Sequence, residues 1–218
     1  MPKIIGTLSE KGIHAYLKDL IAGKECQEIP VGDFIADVKV DNKIYEVQTG
    51  GTKPLIPKLK YYVKMGYDVT VILPIIHKRT TIYNNKGAIH TRRLGYLGTY
   101  YDKFKELYWL SSFIKNKSIK VELVLVDVTF SKIKFPNGKY KKETQTVDAI
   151  YDRMYLDYNY FIDKLSNTFT SKEFITLSSS NSRYIYSGLK QLEALGLIKK
   201  LSNKKGRQNQ YEKVKANY

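Results

Sequence analysis

Asp37 and Glu46 are the two residues of this chain best placed to do chemistry together. Both lie in DFIADVKVDNKIYEVQ (33–48), where alternating residue types predict two strands, 33–40 and 43–49, joined at Asp41-Asn42. Phe34, Ala36, Val38 and Val40 share one face of the first strand, and Ile35, Asp37 and Lys39 the other. In the second strand Tyr45 and Val47 point one way, and Ile44, Glu46 and Gln48 the opposite way. A two-residue loop at Asp41-Asn42 pairs Val40 with Lys43 and sets Asp37 directly across from Glu46. A loop at Asn42-Lys43 sets Asp37 across from Gln48 instead, and a three-residue loop parts the two carboxylates onto opposite faces. Two-residue loops are the commonest hairpin connection, which favours the first two arrangements. Carboxylates directly opposed on one face have Cβ atoms roughly 4.5–5.5 Å apart and repel each other. A hard divalent cation such as Mg²⁺, which takes oxygen ligands and keeps several waters, would offset that repulsion. The plain alternative is a solvated sheet face, where acidic residues cost little.

The neighbouring elements must hold this hairpin in place. A helix starts near Thr7 or Ser9, either of which offers a hydroxyl cap, with Ile13, Leu17, Leu20 and Ile21 as its apolar stripe and Gly23 as its stop. Glu10 falls at its first turn, where a carboxylate also suits the helix dipole, and His14 reads as a core-edge histidine. A short strand over 25–29 and a break at Pro30-Val31-Gly32 precede the hairpin. After Gln48 the run Thr49-Gly50-Gly51-Thr52 is a turn, a helix follows over 54–65, and DVTVILPII (68–76) reads as a strand buried on both faces.

Helix, three strands, helix, strand is an order that resembles the αβββαβ core of the PD-(D/E)xK nuclease superfamily, over roughly residues 8–76. The motif of that superfamily is matched by Asp37, then Glu46-Val47-Gln48, with Glu10 upstream; Gln48 stands where Lys is usual, an E-x-Q variant. The resemblance implies an α/β fold with a mixed, restriction-endonuclease-like sheet. It implies that Asp37, Glu46 and the Val47 carbonyl hold Mg²⁺, with Mn²⁺ as a substitute, and that Glu10 binds a second metal or a metal water. Gln48 would take the place of the lysine that orients the attacking water, but it brings no charge. A substitute cation could come from Lys39, Lys58 or Lys60, and spacing does not choose among them.

The rest of the chain is strongly basic. Lys and Arg number 37 against 21 Asp and Glu, a net +16 spread along 218 residues, and such a field attracts polyanions, nucleic acid first. A Lys-rich, Tyr-rich composition set by codon usage would look similar. The single cysteine, Cys26, excludes a disulfide framework and a Cys-based zinc site. No leader-like apolar core and no apolar run of about 18 residues is present, which predicts a cytoplasmic protein with no membrane partner. Residues 77–148 read less clearly: a strand over 78–83, a basic loop or short strand over 88–93, an aromatic helix over 100–115, and two strands within 120–135. Arg92, Arg93 and Lys103 are the phosphate contacts expected there, with Tyr100, Tyr101 and Tyr108 as packing residues.

From about residue 158 the pattern changes to short helices over 160–165, 171–177 and 181–195, a basic hairpin tip at 203–207 and a return strand near 210–214. The run LKQLEALGLIKKL with that tip resembles a winged helix-turn-helix domain. The 11 Lys/Arg against 4 Asp/Glu, a net +7, suit duplex DNA. Arg183, Tyr184, Ser187 and Lys190 on the third helix, and Lys204, Lys205 and Arg207 on the wing, are the expected DNA contacts. A winged helix also serves as a protein-interaction module.

The two resemblances together imply a nuclease domain over 1–157 and a DNA reader over 158–218. The function expected is metal-dependent hydrolysis of DNA by a restriction or defence endonuclease. Repair or recombination nuclease, RNA-processing nuclease and a non-catalytic DNA-binding regulator are the alternatives. Many members of the superfamily cut both strands as dimers, so a homodimer is one expected arrangement.

Overall fold

The computed structural model describes residues 12–85, 88–93, 97–178 and 182–214, with the side chains of Arg93, Ser182, Arg183 and Tyr184 outside the description. Helix α1 (Ile13–Ile21) is followed by β1 (Gln27–Val31), β2 (Phe34–Val40), β3 (Lys43–Val47), α2 (Ile56–Lys64) and β4 (Asp68–Asn85). Then come β5 (Ala88–Arg93), α3 (Phe104–Lys115), β6 (Lys120–Lys134) and β7 (Tyr140–Tyr155), and finally β8 (Thr168–Thr170), α4 (Ser171–Ser178), α5 (Ser182–Ala194), β9 (Ile198–Lys205) and β10 (Gln208–Lys213). The α/β class and the mixed sheet are as expected. Within the first part, α1, three strands, α2 and β4 follow one another in the expected order.

Sheet order is β1-β2-β3-β4-β6-β7, antiparallel on both flanks and parallel across β3, β4 and β6. The apolar run of β4 explains its central place. Val69, Val71, Leu73 and Ile75 pack to one side with α2 and α3, while Ile72 and Ile76 pack to the other with α1. One edge of β4 is shared: β3 pairs with 68–72 and β5 with 80–85. Pro74, which cannot donate to a ladder, lies just past the last β3 pair, Val47↔Ile72.

Several boundaries differ from those read off the sequence. The strand expected over 68–76 runs on to Asn85 and absorbs the segment at 78–83, and the two strands expected within 120–135 are the single β6. β7 was not anticipated: more than half of its residues are polar or charged, and only pairing along β6 makes it a strand. The helix expected over 160–165 is one 3₁₀ turn at Asn159–Phe161. The helices expected over 54–65 and 100–115 each begin as a 3₁₀ turn, Lys53–Leu55 and Tyr100–Lys103. Lys103 in the second of these is buried, and burial holds its pKa below the ordinary lysine range despite Glu106 and Asp102, so it is no surface phosphate contact. Tyr100 and Tyr101 are buried as expected, whereas Tyr108 is exposed.

The C-terminal strands form a three-stranded antiparallel sheet, β8-β10-β9. Thr170 and Glu173 cap α4 reciprocally: Glu173 N donates to Thr170 Oγ1 at 3.2 Å and Thr170 N to Glu173 Oε2 at 2.6 Å. Ile185, Leu189 and Leu192 of α5 are buried in the same hydrophobic core as Phe104, Leu107 and Leu110 of α3. A Cβ on Gly188 would stand 2.4 Å from the Phe104 ring, so α5 lies close on α3 only because this position carries no side chain. Gly188→Val is therefore expected to destabilise the whole chain by about 1–3 kcal/mol, measured as a lower urea midpoint, through overpacking at this contact. An unchanged midpoint would show that α5 can shift freely. Among the described residues no helix is long and apolar enough to cross a membrane.

Candidate active site at the end of the hairpin ladder

The hairpin has the two-residue loop at Asp41-Asn42, and its ladder runs Val40↔Lys43, Lys39↔Ile44, Val38↔Tyr45. One step further, at Asp37 and Glu46, side chains take over from the ladder. Asp37 N donates to Glu46 Oε1 at 3.4 Å, and Val47 N donates to Asp37 Oδ2 at 2.8 Å. Each carboxylate therefore reaches the backbone of the other strand. The two acids meet where β2 parts from β3, β2 continuing along β1 and β3 along β4.

Each carboxylate also has a basic partner, and these partners come from opposite faces of the sheet. His14 Nε2 on α1 stands 3.1 Å from Asp37 Oδ2. Lys58 on α2 donates to Glu46 Oε2 at 2.6 Å. Glu46 is only 2% exposed. Burial, and then the charge of Asp37, push its carboxyl up to about 7 against the pull of Lys58. Burial also pushes Asp37 up, but the His14 bond and charge, Lys58 and the Val47 N–H outweigh it and hold Asp37 below the ordinary carboxylate range. One acid is thus fully ionised at neutral pH and its neighbour is poised between its two forms.

Of the three lysines weighed as substitutes, only Lys58 comes to the carboxylates. Lys39 donates to the Asp41 carbonyl and lies over the Tyr67 ring, and Lys60 is exposed on α2. Gln48 turns away as well, its Nε2 donating to the Gly51 carbonyl at 3.1 Å while its backbone N–H joins Ile72 O at 2.9 Å. Glu10 lies outside the described residues. Sequence reasoning missed His14 as the partner of Asp37. The available signal was its place one residue after Ile13, which turns it off the buried stripe toward the hairpin.

Two carboxylates and the Val47 carbonyl offer hard oxygen donors, and the raised Glu46 carboxyl marks an environment that added positive charge would relieve. This donor set fits a cation such as Mg²⁺ that keeps several of its waters. Among the described residues no group of three or more His, Cys, Asp or Glu side chains gathers as a metal cluster, so water would complete the coordination.

The description "domain of unknown function (DUF8091)" matches residues 11–160, more than half of the chain. The chain belongs to this family. No curated protein and no solved structure matches it. The DUF8091 region contains His14, Asp37, Glu46 and Lys58, and therefore the whole described site. It ends before α4, α5, β9 and β10, which lie beyond the family match.

On that C-terminal part Lys190, Lys204, Lys205 and Arg207 are exposed and Ser187 is half-buried. The side chains of Arg183 and Tyr184 lie outside the described ones; their backbone forms the first turn of α5. Tyr186, exposed beside Ser187 on the outer side of α5, was not singled out from the sequence.

Proposed function

We propose that this chain is a metal-dependent endonuclease of PD-(D/E)xK type that hydrolyses DNA phosphodiester bonds, with its C-terminal unit as a winged-helix reader that positions the duplex. The observation that carries the reading is Lys58. The motif has Gln48 where a lysine is usual, and a lysine from the following helix reaches Glu46 at 2.6 Å instead. The order α1, three strands, α2, β4 and the parting of β2 and β3 at the acids support the same reading. Support for the reader comes from α4, α5 and the basic β9–β10 hairpin, whose tip residues are exposed. A restriction or defence role fits a cutting domain joined to a DNA reader.

Asp37, Glu46 and the Val47 carbonyl would hold Mg²⁺, or Mn²⁺ in its place. When bound, such an ion polarises the scissile phosphate and brings water to hydroxide near neutral pH. His14 fixes the orientation of Asp37. Lys58 contributes the positive charge, close to the site, that Gln48 lacks.

The test is cleavage of plasmid and short duplex DNA with Mg²⁺ or Mn²⁺, against EDTA, for the parent and Asp37→Asn. The amide can still accept from Val47 N–H, so the fold is kept while cutting falls by about 10²–10³-fold. Cutting that persists in Asp37→Asn would place the activity elsewhere and end this assignment. A second reading, a DNA-binding regulator without catalysis, is favoured by one observation: His14 and Lys58 already accompany both carboxylates. It predicts duplex binding in EDTA and no cutting in either metal.

A further inference from the structure

Beyond the active site the sheet continues as a four-stranded half made of β5, β4, β6 and β7. Its two faces differ in charge. His90, Tyr83, Lys132 and Lys142 are paired directly across these four strands and so share one face. The next row on that face contains Arg92, Thr81 and Phe130. Glu143 and Asp148, the acids of the described part of this half beyond Asp127, accept from Ser131 and Thr129 and so belong to the other face. The basic face is the one that carries Phe130 and Val128 down to α1, where His14 meets Asp37.

Three of the cations on this face, Arg79, Lys132 and Lys142, are propped by aromatic rings. Lys132 Nζ lies 5.6 Å from the Tyr83 ring centre and Lys142 Nζ 5.1 Å from that of Phe130, with the Arg79 guanidinium 4.3 Å from the same Phe130 ring. Lys142 and Arg92 are exposed and Lys132 is half-buried. Tyr83 and Phe130 lie beneath these cations, so the middle of this face presents charge rather than bare rings.

We propose that this face is a docking surface for the sugar–phosphate backbone of duplex DNA, separate from the winged-helix contacts. Arg92 on β5 and Lys142 on β7 lie three strand spacings apart across the sheet, about 14 Å, and one side-chain row apart along it, about 7 Å, so roughly 16 Å in all. That separation is enough to span a DNA major groove about 12 Å wide, so cations at the two edges suit two phosphate strands rather than one. The surface leads along the sheet to the α1 side of the active site and would hold the duplex on the DUF8091 region itself. It shares with the proposed function only the choice of DNA as partner and does not depend on cleavage.

The test is equilibrium binding of a labelled 30-base-pair duplex, and of a single strand of equal length, to the full chain in EDTA over a range of salt. In the variant Arg92→Gln, Lys132→Gln, Lys142→Gln, duplex affinity at low salt should fall at least ~10-fold. The slope of log affinity against log salt should become shallower by about 3. Lys105→Gln, Lys115→Gln, Lys141→Gln removes the same charge elsewhere and should leave the slope nearly as in the parent, and Lys132→Arg with Lys142→Arg should keep parental affinity. Parental affinity and slope in the first variant, an equal loss in the second, a parent that ignores duplex, or an effect confined to the single strand would each overturn the proposal. Because binding is read in EDTA, loss of cleavage alone leaves it standing.

Discussion

Glu46→Gln is expected to abolish the proposed metal-dependent cleavage, a fall of about 10²–10³-fold or to background, and at the same time to remove a pH dependence from the stability of the fold. The first effect follows from losing one of two carboxylates at the ladder's end. The second follows from burial. With the Glu46 carboxyl raised from 4.5 to about 7, the native state holds its proton more tightly than the unfolded chain does. The stability contributed is full below about pH 4.5 and is lost as pH rises toward 7, with a total on the order of 3 kcal/mol. Asp37, shifted the other way, loses its contribution only as pH falls through its own lowered pKa, so the two windows are separate. Thermal unfolding in EDTA between pH 4.5 and 8 checks this: the parent should lose stability across the range by a term that Glu46→Gln lacks. Equal pH slopes would mean that Glu46 is not held as described, and cutting retained by Glu46→Gln would move the chemistry elsewhere.

Lys58→Met is expected to have the next largest effect. Cleavage should fall by about 10²–10³-fold, because Lys58 is the one substitute lysine that reaches the carboxylates. Lys39→Met and Lys60→Met should leave the rate nearly unchanged, since one lysine is tied to the Asp41 carbonyl and the other faces solvent. Stability separates a lysine that holds Glu46 from one that merely lies near it. Removing one partner of a buried ion pair costs about 3–5 kcal/mol when the other charge must stay ionised. Lys58 keeps 18% of its side-chain surface exposed, which screens the pair and makes that range an upper bound. At pH 6 Glu46 can take up a proton and avoid most of the cost, so Lys58→Met should be clearly less stable than the parent at pH 8 and much closer to it at pH 6. A rate lost in Lys39→Met or Lys60→Met instead would show that the working lysine had been misassigned.

Local pattern came close to deciding the hairpin. Alternation limited the connection to a two-residue loop, at Asp41-Asn42 or at Asn42-Lys43, because a one-residue slip would turn every side chain of the strand to the other face, and the folded chain takes the first, with Val40↔Lys43. The apolar run after Asp68 likewise determined a strand buried on both sides, and the stripe Ile185, Leu189, Leu192 determined the inner face of α5. Sequence order alone also brought the two acids, three candidate lysines and the basic tip at 203–207 into consideration. Three things were decided only in the folded chain. β7 is a strand because β6 lies beside it, and pairing with a neighbour distant in sequence has no local period to announce it. The packing of α5 on α3 depends on Gly188 meeting Phe104, a contact between residues whose separation in sequence says nothing of their closeness in space. The choice of Lys58 over Lys39 and Lys60, and the arrival of His14 at Asp37, depend on how α2 and α1 lie across opposite faces of the sheet. Spacing along a chain limits which residues can share an element, but the meeting of side chains from different elements is decided by packing.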